Sequence, residues 1–92
     1  MFKLFKSVDQ KFKDIGFNKI EDNDYVVEYE RKNKQYGYTH KIVICHKKNG
    51  RNIIQSYDKD LFDDKGIGNT CVGLSYYETK LALKKMKSKK WN

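Results

Sequence analysis

The dipeptide Asn49-Gly50 divides two β-rich stretches, residues 36–47 and 51–57. Both of its positions tolerate positive φ, and Asn-Gly between apolar runs is the strongest short signal for a type I′ hairpin. Two strands joined so tightly must pair antiparallel, which commits this part of the chain to a sheet with one buried face. Upstream, residues 25–31 alternate apolar and polar side chains and read as a third strand. A two-residue loop at 49–50 sets His46 opposite Ile53, Ile44 opposite Gln55 and Ile42 opposite Tyr57. A four-residue loop at 32–35 sets Tyr29 opposite Tyr38, Val27 opposite His40 and Tyr25 opposite Ile42. One face then gathers Tyr25, Val27, Tyr29, Tyr38, Ile42, Ile44 and Ile53. The other gathers Val26, Glu28, Glu30, Thr39, Lys41, Val43, Cys45, Ile54 and Ser56. The first is the face that meets the helices.

Two helices flank these strands. Over residues 2–15, Leu4, Phe5, Val8, Phe12 and Ile15 fall in an arc of about 100° with Lys3, Lys6, Gln10, Lys13 and Asp14 opposite. Gly16 followed by Phe17 reads as a helix stop. Residues 58–73 are loop-like, and then Ser75 and Glu78 have capping-box spacing, opening a helix that runs to about residue 89. Its core arc is expected at Tyr76, Ala82, Leu83 and Met86. The order α-β-β-β-α predicts a two-layer α+β fold, a three-stranded antiparallel sheet with both helices on one face. A chain of 92 residues, with 7 Tyr and 5 Phe to supply bulk, supports one core and so a single domain over residues 1–92.

Cys45 and Cys71 are too few for a secreted disulfide framework. The N-terminal decapeptide alternates apolar residues with Lys instead of forming the continuous run of a signal peptide. No stretch approaches the roughly 20 apolar residues needed to span a bilayer. A cytoplasmic protein with no membrane association is therefore expected.

Chemistry-bearing constellations are sparse. His40 and His46 share a strand face from which Cys45 points away, so these three do not converge on a metal. The aspartates at 58, 60, 63 and 64 fail the EF-hand pattern, because Phe62 and Asp63 stand where a ligand and a glycine belong. Gly66 and Gly68 lack the third glycine of a dinucleotide cradle. Two histidines offer little for acid–base work, and no cofactor or catalytic activity is expected.

Charge is the informative property. The net charge is +8, distributed in blocks: residues 21–30 carry five acids and no base, whereas residues 31–57 carry seven bases and no acid. Lys32 and Lys34 are expected in the first turn, and Lys47, Lys48 and Arg51 around the second. On the last helix Lys80, Lys84 and Lys87 recur at i, i+4 and i+7, in one stripe suited to phosphates or to an acidic surface. Lysines late in a helix also complement its dipole, the bland account of the same residues. Whether the acidic 58–64 segment covers the basic turns decides between them.

The helix–three strands–helix order over residues 2–90 resembles that of double-stranded RNA-binding domains. In that family the first inter-strand turn enters a minor groove and lysines opening the second helix grip phosphates. The turn Arg31-Lys32-Asn33-Lys34 matches in charge. The second helix departs, placing Tyr76, Tyr77 and Glu78 where adjacent lysines belong, with Lys80, Lys84 and Lys85 a turn or more later. The stretch DIGFNKIEDNDYVVEYER and the Lys-rich end at Trp91 also look like small α+β proteins of phages and mobile elements from AT-rich Gram-positive bacteria. That resemblance implies a protein that binds a host protein.

These features predict a non-catalytic interaction module that engages a macromolecule through its basic turns and lysine stripe. A protein partner is favoured, with nucleic acid as the alternative. For a protein, Val43, Ile54, Tyr77, Leu81 and Trp91 are the candidate apolar contacts. A homodimer would pair through an edge strand, either residues 25–31 or 51–57.

Overall fold

The computed structural model describes residues 6–65 and 70–91, so Phe2, Leu4 and Phe5 of the expected first helix and the glycines at 66 and 68 lie outside the described residues. The order is α1 (Val8–Asp14), β1 (Asn18–Asp22), β2 (Val26–Asn33), β3 (Tyr38–His46), β4 (Asn52–Asp58), α2 (Lys59–Lys65) and α3 (Tyr76–Ser88). The class is α+β with an antiparallel sheet, as expected, but the sheet has four strands in the order β1-β2-β3-β4. No helix among the described residues is long and apolar enough to cross a membrane.

Helix α1 begins at Val8, because the Ser7 side chain caps it by accepting from the Gln10 amide. It ends as its sequence predicts. The amides of Gly16 and Phe17 donate to the carbonyls of Lys13 and Phe12, a Schellman arrangement, with Gly16 at φ 97°. Phe17 turns back into the core and leads into β1, the strand that the alternation pattern misses. Lys19 and Ile20 together oppose Tyr29, so a bulge interrupts the ladder to β2 there.

The two hairpins differ instructively from expectation. Between β2 and β3 the loop is residues 34–37, where the Asn33 carbonyl accepts from Gly37 and its side chain from the Tyr36 amide. Tyr29 therefore pairs with Ile42 and Val27 with Ile44. This is an even displacement, so both keep the predicted face. Between β3 and β4 the loop gains one residue. Gly50 alone takes positive φ, its amide bonds to the Lys47 carbonyl, and the Lys47 amide bonds to the Arg51 carbonyl. That is a type I turn with a glycine bulge in place of a type I′ turn. Ile44 consequently meets Ile54, and Cys45 meets Ile53. The odd displacement turns β4 over, bringing Ile54 against the core.

The core joins Phe12 and Phe17 to Val27, Tyr29, Ile42 and Ile44 of the sheet and to Leu81, Ala82, Met86 and Trp91. Phe12 stacks on Tyr29 with ring centroids 4.0 Å apart. Helices α1 and α3 cover this face. Helix α2 occupies part of the expected 58–73 loop and departs from a single helical layer. Its Phe62 meets Tyr57, whose side chain alternates with core-facing Ser56 and leaves the sheet on the other side. Residues 70–72 run along the outer edge of β4 through the Tyr57–Cys71 bridge. Residues 25–31 are not an edge, since β2 lies between β1 and β3.

Candidate binding surface

Helix α3 opens with the predicted capping box between Ser75 and Glu78. Its buried side is rotated from the predicted arc. Glu78, Leu81, Ala82, Lys85 and Met86 face inward, while Tyr76 and Leu83 are 83% and 54% exposed. Two paired charges allow this. The Arg31 guanidinium donates to Glu78 at 2.8 Å, donates to the Ile15 carbonyl, and lies 4.3 Å above the Phe17 ring. Lys85 reaches Asp9 and Asp22, each at 3.0 Å. Buried ionic groups are tolerated when paired this closely.

Around Lys85 the acids gather further partners. Asp9 accepts from the Tyr29 hydroxyl at 2.6 Å and from Lys19 at 2.8 Å, and Asp22 accepts from Lys89 and Lys19. Burial pushes both carboxyls up, but the lysines, with Tyr29 at Asp9, outweigh it and hold both below the usual carboxylate range. His40, buried beside Arg31 and bonded to Ser56, has its imidazole held low by burial. On the opposite sheet face Lys41 sits between Glu28 and Glu30, at 2.9 and 3.6 Å. That face is therefore mixed in charge.

Ion pairs among the described residues include those joining Lys6, Lys19, Arg31, Lys41, Lys85 and Lys89 to Asp9, Asp14, Asp22, Glu28, Glu30 and Glu78. These six cations and six anions cancel, so the net +8 belongs to the rest of the chain. Lys80, Lys84 and Lys87 are exposed on the outer side of α3 and have no carboxylate partner among the described residues. Lys11 of α1 and Lys80 crowd Lys84 and hold its ammonium below the usual lysine value.

The other predicted bases divide between the two ends of the sheet. Lys34 lies in the 34–37 loop, whereas Lys32 is a strand residue whose ammonium donates to the Thr39 hydroxyl. Lys47, Lys48 and Arg51 lie at the far end. There Trp91 stacks on His46 with centroids 5.0 Å apart, and its backbone carbonyl accepts from the Asn52 side-chain Nδ2. This contact brings the end of α3, with exposed Lys90, to the 47–51 turn. Asp58 caps α2 by accepting from the Leu61 amide, at the end opposite that turn.

Four of the five predicted apolar contacts are not exposed. Leu81 and Trp91 belong to the core, Ile54 packs against it, and Val43 is buried between its register partners Glu28 and Gln55. Only Tyr77 stays open, at 43% exposure. Sequence reasoning missed Tyr76 and Leu83 as surface groups and Lys11 as a neighbour of the stripe. The inward charges Glu78 and Lys85, three and four positions from Leu81 or Ala82, were the available signal. Two shallow clefts, of about 360 and 430 Å³, lie elsewhere. Asp9, Lys13 and Lys19 line the first, a mixed-charge cleft, and among the described residues the second has no charged lining. Compared with family models, curated proteins and solved structures, the chain matches none.

Proposed function

We propose that this chain is a non-catalytic binding module for a polyanionic macromolecule, nucleic acid in the first place, held by the outer side of α3 and the 47–51 turn. The observation that carries this reading is the inward pairing of acids beside an outer lysine stripe that has no carboxylate partner among the described residues. An anion laid along Lys80, Lys84 and Lys87 relieves their mutual repulsion and that with Lys11, and releases condensed counterions. The internal ion pairs involve other cations, so binding requires none of them to break. The free thiols of Cys45 and Cys71 fit a cytoplasmic setting.

A protein partner is the second reading, favoured by exposed Tyr76, Tyr77 and Leu83 beside the lysines, and it calls for an acidic surface. The test is titration of fluorescent RNA duplex, DNA duplex and single strand at about 50 and 200 mM salt. Micromolar binding that weakens steeply with salt is the expected result. No binding at the lower salt rejects nucleic acid and leaves the acidic protein.

A further inference from the structure

We infer that the outer side of α3 takes single-stranded nucleic acid, with Tyr76 and Tyr77 stacking bases while Lys80, Lys84, Lys87 and Lys11 hold the backbone. This rests on the phosphate-binding reading above and narrows it to unpaired strands. Tyr76 is 83% exposed in the first turn of α3, and neither tyrosine makes a ring contact among the described residues. The fold gains little from a ring left in water, and tyrosine is not a strong helix former. Its placement matters for a ligand: Tyr76 precedes Lys80 by four positions and Tyr77 precedes it by three, so the rings and the first lysine share one side of the helix.

Lysines continue in that direction. The 13 residues of α3 extend about 20 Å, with Lys80 and Lys87 about 10 Å apart along the axis. Beyond them the helix arrives at the 47–51 turn with Lys47, Lys48 and Arg51, which prolongs the positive path. Rings at one end and cations along the rest is the pairing of stacking platform and basic groove that unpaired strands use. A duplex turns its base faces inward and offers Tyr76 and Tyr77 nothing to stack on. The sheet's other face instead sets Lys41 between Glu28 and Glu30 and Tyr57 against Phe62.

The experiment is fluorescence anisotropy with labelled oligothymidylate, a DNA duplex of equal length, and polyglutamate as competitor. The wild-type chain is expected to bind the single strand more tightly than the duplex, and polyglutamate to compete weakly. Tyr76→Ala and Tyr77→Ala are each expected to lower single-strand affinity about five-fold or more, with duplex affinity and salt slope unchanged. Lys80→Ala/Lys84→Ala/Lys87→Ala is expected to reduce the single-strand salt slope by about 2. All five side chains are exposed, and circular dichroism verifies the fold of each variant. Duplex binding as tight as single-strand binding, or tyrosine variants that bind like wild type, overturns this inference and leaves phosphate binding standing. Polyglutamate competing as well as oligothymidylate overturns it in favour of an acidic protein. No binding to either nucleic acid overturns both readings together.

Discussion

Lys85 and Arg31 determine how α3 seats on the sheet, and neither stands out in a hydrophobic pattern. Lys85 spans two carboxylates from different elements, Asp9 of α1 and Asp22 of β1. Replacing it by Ala leaves both acids half-buried and short of a partner, at a cost of about 3 kcal/mol in urea denaturation. Lys84→Ala, one residue away but exposed, is expected to change stability by less than about 0.5 kcal/mol. His40 gives a pH signature. Burial holds its folded pKa below the ordinary 6.5, so the unfolded chain binds the proton more readily. Its contribution to stability is complete above 6.5 and is lost as pH falls towards the folded value. Acid unfolding followed by urea midpoints between about pH 7 and 5 should show this decline, and His40→Gln should flatten it. Asp9 and Asp22 act lower: their stabilisation is present above about 3.8 and is lost as pH falls through their depressed values.

Elements were legible where local chemistry is strong. The Ser75–Glu78 capping box, the Gly16-Phe17 stop, and the strand pattern of β2 and β3 all stand as the residues imply. Strand β1 was not legible, because Asn18, Lys19, Glu21 and Asp22 surround a lone Ile20 and give no alternation. It is held by its ladder to β2 and by the ion pairs of Lys19 and Asp22. The β4 register was illegible for a subtler reason. Asn-Gly serves both a two-residue and a bulged three-residue loop, and one residue of difference exchanges Ile53 and Ile54 between faces. The glycines offer a check at this scale. Gly50→Ala meets no atom within 4 Å but keeps φ 85°, and should cost about 1 kcal/mol. Gly16→Ala combines φ 97° with an approach of 3.1 Å to Arg31 Cδ, and should cost about 2 kcal/mol or more in thermal unfolding.

At the scale of the whole molecule, charge segregated along the chain becomes charge segregated in space. The acidic 21–30 block lies on β1, β2 and the turn between them, where Asp22, Glu28 and Glu30 pair with lysines. The lysine stripe of α3 was readable from its i, i+4, i+7 spacing, whereas its separation from the acids depends on a tertiary arrangement that no local pattern carries. Tyr76 and Leu83 reach the surface because α3 turns Glu78 and Lys85 inward, and Lys11 joins them from α1 beside Lys84. The fold therefore has a mixed-charge sheet face and a cationic helical side, and the latter is the proposed binding side. Backbone amide chemical-shift mapping with oligothymidylate tests it most directly. Perturbations are expected at Tyr76, Tyr77, Lys80, Lys84 and Lys87, extending to Lys47, Lys48 and Arg51. Perturbations centred on Glu28, Lys41 and Gln55, or none at all, would contradict it.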